Sequence, residues 1–181
     1  MICIFLANGF EMIEALTPCD VLKRAGADVK LVSVTDTLAA TSTHGVTVGC
    51  DLMLSDLDRD EIDMIILPGG MPGAQNLYHS EALCQLTVAH AKKGKPTAAI
   101  CAAPFILGKL GLLSGKSATC YPGFEEELKG ATATGESVVT DGNITTARGM
   151  GVALDFADEL VALIAGEEKK RALSEAVMEK K

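Results

Sequence analysis

The stretch "AAICAAPFILGKLGLL", residues 98–113, decides how this chain folds. A short apolar run of strand character passes directly into a helical pattern, and Cys101 stands at the joint. Working outward, "ICIFLA" (2–7), "DVKLVSV" (28–34), "DMIILP" (63–68) and "PTAAI" (96–100) are further strand-like runs, separated by segments of helix length. That alternation predicts a parallel sheet with helices on both faces. Several of the runs are apolar throughout rather than alternating, as strands covered on both sides must be. The expected fold class is therefore α/β, a three-layer sandwich around a mostly parallel central sheet.

Two hairpins are expected as additions to that core. "ESVVT" and "NITTA" flank Asp141 and Gly142, a strong hairpin signal, and Thr-rich strands over roughly residues 38–50 turn near His44 and Gly45. Residues 150–165, "MGVALDFADELVALIA", place Val152, Phe156, Leu160 and Ile164 at four-residue spacing. This predicts an amphipathic helix, with Gly166 as its left-handed C-terminal cap. The first helix carries Pro18, which has no N–H to give the carbonyl of Glu14, so a bend or restart is expected there.

Composition narrows the function. A net charge of −8 argues against a nucleic-acid surface and against anionic membranes, both of which select clustered Lys and Arg. No stretch is long enough to span a bilayer, and "MICIFLANG" lacks a basic leader, so a cytoplasmic protein is expected. Cys3, Cys19, Cys50, Cys84, Cys101 and Cys120 form no C-x-x-C pair. Reduced thiols are expected, with neither a disulfide framework nor a metal site. Nothing in the 181 residues resembles a linker, so one domain over 1–181 is expected.

The chemistry concentrates at strand ends, because ligands of open parallel sheets bind beyond the carboxyl ends of the strands. Cys101 ends "TAAI", and a helix starting at once would put it where unsatisfied amides favour a thiolate. Its small neighbours Ala99, Ala102 and Ala103 suit a sharp nucleophile elbow. The bland alternative, a small buried hydrophobe, stands equally open on position alone, and it is the better reading for the other five cysteines. "ILPGGMPG" (66–73) supplies Gly69 and Gly70, whose backbone can approach a ligand closely and, with the amide of Ala102, form an oxyanion hole. Glycine-rich turns after strands are more often only turns. "ANGFEMIE" places Glu11 and Glu14 at a third strand end. A carboxylate beside Cys101 would repel a thiolate, so Glu14 there is expected to be a buried acid donating to sulfur. The alternative is dipole complementarity in a first helical turn. His79 and His90 fall on a helical stretch and are expected on its solvated face, which disfavours a Cys–His protease.

Taken together, "GFEMIE", "LPGGMPGA", "AAICAAP", "YPGFEEEL" and "ARGMGVALDFA" resemble, in order and spacing, the ThiJ/PfpI superfamily. Within it the likeness is to the branch of the Parkinson disease-associated deglycase and bacterial YajL. The resemblance covers nearly the whole chain, a single ThiJ/PfpI-type domain akin to class I glutamine amidotransferases. It implies a flavodoxin-like (Rossmann-like) homodimer that needs no cofactor. Its implied site is an oxidation-sensitive Cys101 assisted by Glu14, with Gly70 and Ala102 as oxyanion-hole amides and Gly69, Arg24, His44 and Tyr121 around the substrate. The implied activities are glutathione-independent glyoxalase or deglycase action on a small aldehyde or glycated substrate. A redox sensor or redox-regulated chaperone is the implied alternative.

Three departures from the family pattern bear on these expectations. Peptidases of the superfamily carry a His directly after the nucleophile, where this chain has Ala102. Some relatives have a His at the position of Tyr121, and some an interface arginine at the position of His44. Arg148, in the family's "RG-G" turn, is expected to be structural.

Overall fold

In a computed structural model, which describes residues 1–178, the strand-like runs assemble into one seven-stranded sheet. β1 (Ile2–Leu6) leads through α1 (Met12–Arg24) to β2 (Val29–Ser33). A hairpin of β3 (Ala39–Thr41) and β4 (Thr47–Gly49) follows, then the short β5 (Leu52–Met53) and β6 (Met64–Leu67). α2 (Gly73–His79) and α3 (Glu81–Lys92) precede β7 (Thr97–Ile100), which is followed by α4 (Pro104–Lys109). β8 (Ser117–Ala118) and β9 (Thr132–Ala133) make a small separate ladder, and β10 (Val138–Asp141) and β11 (Ile144–Ala147) form the second expected hairpin. α5 (Ala153–Ala165) and α6 (Glu167–Ala176) complete the described chain.

The sheet order is β10-β11-β7-β6-β1-β2-β5, and every neighbouring pair is parallel except β10 with β11. The strict two-residue alternation of a strand divides the core. From β1, Cys3 and Phe5 face a layer containing Leu77, Leu86, Phe105 and Leu107, while Ile2, Ile4 and Leu6 face Leu22, Phe156, Leu160 and Val161. All five residues of β1 are buried, so continuous apolarity reports a central position in the sheet. The order also fixes where a crevice opens. From β1 the chain goes first to β2 on one side and later to β6 on the other, making a switch point between the carboxyl ends of β1 and β6.

Three local expectations are corrected. Of the bend or restart expected at Pro18, the restart does not occur: α1 is one helix from Met12 to Arg24. Pro18 is buried on a helix that packs along α5, where tertiary contacts act against the roughly 3 kcal/mol cost of an interior proline. Gly166 has a positive φ of 86°, but its ψ of 164° is extended rather than left-handed helical. The reason is that α6 starts at the next residue and the chain must change direction within one position. His90 is buried rather than solvated, at 4% exposure, with Nε2 donating to the Pro96 carbonyl at 3.0 Å.

Gly108 shows how tightly α4 is docked. A Cβ there would overlap the Glu127 carbonyl oxygen and come within 3.0 Å of the Lys129 amide nitrogen. Alanine favours a helix over glycine by about 1 kcal/mol, whereas overpacking against immobile backbone costs about 1–3 kcal/mol. The steric effect wins, and Gly108→Ala is expected to lower the urea midpoint of unfolding despite its better helix propensity.

Candidate active site

Three strand ends converge at the switch point. The loop after β1 holds residues 7–11, the loop after β6 holds 68–72, and Cys101 immediately follows β7. The first two loops are fastened backbone to backbone: the Glu11 amide donates to the Gly69 carbonyl at 2.9 Å and the Gly73 amide to the Gly9 carbonyl at 3.0 Å. Side chains are excluded by this approach. A Cβ on Gly70 would collide with the Glu11 amide, and one on Gly73 with the Phe10 amide. Gly70 also needs its left-handed φ of 84°.

This clasp delivers Glu14, in the first turn of α1, to the base of Cys101. Glu14 is 1% exposed, and its Oε2 accepts from the Gly69 amide at 2.9 Å. Gly69 lies between the two side chains, so that a Cβ there would stand 2.6 Å from Glu14 Oε2 and 2.7 Å from Cys101 Cβ. Its place among the site residues is therefore that of a spacer and donor.

Cys101 occupies an elbow. Its φ of 66° is one of only two positive values among the described non-glycine residues, and costs on the order of 1–2 kcal/mol for a side chain with a Cβ. The elbow is held from both sides, since the Cys101 amide donates to the Ala147 carbonyl and its carbonyl accepts from the Tyr121 amide, each at 2.8 Å. The expected immediate helix start is not seen: residues 101–103 form a turn, and α4 begins only at Pro104. Direct amide contacts take the place of a helix terminus, because the amides of Ala102 and Gly70 bond to the sulfur and favour its ionised form.

The Glu14 and Cys101 side chains bond to each other and share their protons. Burial pushes the Glu14 carboxyl up to about 7, offset in part by the bond from Cys101 and the amides of Gly69 and Met150. Burial, then the charge and bond of Glu14, push the Cys101 thiol up to about 12, against the pull of the two amides. Burial thus raises the proton affinity of both members of the pair, while the amides of Gly69 and Met150 at the carboxyl and of Gly70 and Ala102 at the sulfur pull the other way.

The remaining site residues separate. Tyr121 meets the elbow through its backbone, and its 51% exposed ring borders an open cleft of about 510 Å³ with Pro122, Arg148 and Met150. His44 is at the exposed tip of the β3–β4 hairpin, one residue past Thr43, whose amide donates to the Phe10 carbonyl at 2.9 Å. The hairpin thus belongs to the same rim, but no hydrogen bond joins His44 to Glu14 or Cys101 among the described residues. Arg24 ends α1, about 15 Å along the helix from Glu14, and its Nε pairs with Asp20 at 2.6 Å. Within one chain it does not reach the sulfur. Gly9, Gly73 and the Met150 amide are contributors that sequence reading missed. "ANG" and "GMPG" carried the signal for the glycines, whereas a backbone amide such as that of Met150 leaves none.

The model of the DJ-1/PfpI family matches residues 1–163. The chain belongs to the DJ-1/PfpI family. Among relatives of this DJ-1/PfpI chain, protein DJ-1 homolog B of Arabidopsis thaliana is 42% identical over 166 residues, 91% of this chain and 38% of that protein. The chain thus spans well under half the length of that plant relative. A deglycase of Pyrococcus abyssi is 33% identical over 165 residues, covering 90% of this chain and 98% of the archaeal one. The solved structure of oxidized Toxoplasma gondii DJ-1 superposes with a TM-score of 0.94 at 34% identity, covering 98% of this chain and 97% of that one. The DJ-1 fold and the family expected from the five motifs are therefore established. No helix among the described residues is long and apolar enough to cross a membrane.

The raised Glu14 carboxyl makes a stability prediction. The folded state holds this proton more tightly than the unfolded chain does, so stability falls as pH rises from the ordinary value of 4.5 to about 7. Glu14→Gln keeps an acceptor for the Gly69 amide and has no charge to bury. It is expected to melt at a higher temperature than the parent at about pH 8, by up to about 3 kcal/mol of stability, with the difference shrinking toward pH 5. Melting curves of the two proteins across this range check it.

Proposed function

We propose that this protein is a cysteine-dependent enzyme acting on reactive dicarbonyls, a glutathione-independent glyoxalase that also releases early glycation adducts. The observation that carries the reading is the buried Glu14 carboxyl set against Cys101, which stands in a positive-φ elbow with the amides of Gly70 and Ala102 at its sulfur. The archaeal relative named a deglycase supports the same class of chemistry.

With methylglyoxal the steps balance. The Cys101 sulfur forms a bond to the aldehyde carbon as Glu14 takes the thiol proton, and the proton passes to the new oxyanion to give a hemithioacetal. The amides of Gly70 and Ala102 stabilise charge as it moves from sulfur to oxygen. Glu14 then removes the C1 hydrogen and returns it to C2, which leaves a 2-hydroxy thioester. Water cleaves the C–S bond, releasing lactate and restoring the thiol, so the sum is methylglyoxal plus water to lactate. Taking the aldehyde from an adduct with an amine or thiol would free that group. A carboxyl near 7 suits a group that must both take and give a proton at neutral pH. Tyr121, His44 and Arg24 are proposed to line the substrate side, the last two through a homodimer that brings them nearer the sulfur than one chain does.

A second reading is favoured by the same two amides, which would also stabilise an oxygen anion on oxidised sulfur. In it Cys101 is a redox sensor, oxidised by peroxide to sulfenic acid with release of water.

Lactate formation from methylglyoxal without glutathione, with the intact mass recorded, separates these readings. Turnover is expected from the reduced protein and its complete loss from Cys101→Ser. In the parent, kcat/KM is expected to rise with pH through about 7 as Glu14 ionises. Glu14→Gln should lose about 100-fold or more in rate and the pH dependence with it. No lactate from protein whose mass shows reduced Cys101 would overturn the enzymatic reading.

A further inference from the structure

The end of the sheet opposite Cys101 carries a feature that the dicarbonyl chemistry does not use. Ahead of β6 and β7, at the amino ends of the strands, the loop around residue 59 and the C-terminal end of α3 enclose a cavity of about 260 Å³. Arg59, Lys93 and Lys95 line it against a single lining carboxylate, Asp60, although the whole chain carries a net charge of −8. We propose that this cavity binds a phosphate group, as inorganic phosphate or a small phosphate monoester.

The cations are unequally engaged. Lys95 Nζ donates to the carbonyls of Ile62 and Asp60, which fixes it in place and leaves its third proton for a ligand. Lys93 meets Asp60 at 3.6 Å, but both side chains are well exposed, so this pair is weak. Arg59 has no ion pair among the described residues.

His90 supplies the built part of the site. It lines the cavity and is 96% buried, being 4% exposed. A carbonyl oxygen only accepts, so the bond to Pro96 places the ring proton on Nε2. Nδ1 is left without a partner among the described residues. A phosphate monoanion can donate its P–O–H to Nδ1, and a dianion can accept from a protonated Nδ1, so either form leaves one proton in that bond. Burial, then Lys95 and Lys93, oppose a charge on the free ring, while the bond to Pro96 and the charge of Asp63 favour it; a bound anion adds to the favourable side.

Complementarity to the α3 dipole accounts for cations at a helix C-terminus. It does not account for Arg59, which comes from a different segment. The volume corresponds to roughly eight waters, enough for a phosphate with part of its shell and below the usual range for larger organic ligands.

The test is a titration of the intact protein with inorganic phosphate at constant ionic strength, followed by the ring proton signals of His44, His79 and His90. A saturable shift of His90 alone is expected, unchanged in Cys101→Ser and weakened about tenfold or more in Arg59→Ser/Lys93→Ser. Repeating it with glycerol phosphate distinguishes the two sources: equal or tighter binding assigns a monoester site, and no binding assigns free phosphate. Absence of saturation through the millimolar range, equal shifts of all three histidines, or unchanged affinity in the double variant would each overturn the proposal.

Discussion

The bond from the Gly69 amide to the Glu14 carboxylate, 2.9 Å long and wholly buried, is the constraint on which the site rests. It joins the loop after β6 to the first turn of α1, across the point where the strand order reverses. An unpaired carboxylate at that depth would cost several kcal/mol, so the fold must either neutralise Glu14 or surround it with donors. It does both, with the amides of Gly69 and Met150 on one side and a thiol on the other. The result is a carboxyl whose proton affinity is raised to about 7.

The glycines at 9, 70 and 73 belong to the same design. Gly70 and Gly73 lie where main chain meets main chain and Gly9 lies against the Pro72 ring and the Gly73 amide, and each absent Cβ lets the two loops close on one another. Backbone proximity, rather than a network of charged side chains, positions Glu14 against Cys101. The cleft bordered by Tyr121 and Met150 remains open beside them, so the buried carboxyl is anchored in the core while the sulfur lies nearer the surface.

Much of this was legible in the sequence because it follows from periodicity and from strand ends. The continuous apolarity of "ICIFLA" and "DMIILP" announced central parallel strands, and the end of "TAAI" placed Cys101 on the functional edge. The limits are equally physical. No local pattern shows that Pro18 will be carried inside a continuous helix, because tertiary packing against α5 decides it. The proton affinity of Glu14 depends on its burial and on the backbone amides around it, and the Met150 amide comes from over 130 residues away in the chain. The burial of His90 depends on the Pro96 carbonyl just ahead of β7, which helical periodicity alone places out of sight.

The separation of the three strand ends along the chain has a consequence for how the protein comes into being. Glu14 and Gly69 are in place once β6 has paired with β1, but Cys101 joins them only when β7 has docked on β6, with β11 on its far side. Until then the thiol is a solvated one with an ordinary proton affinity, no partner carboxylate and no elbow. The Glu14–Cys101 pair is therefore a property of the assembled sheet, and a chain in which either ladder is open carries both side chains without their mutual contact.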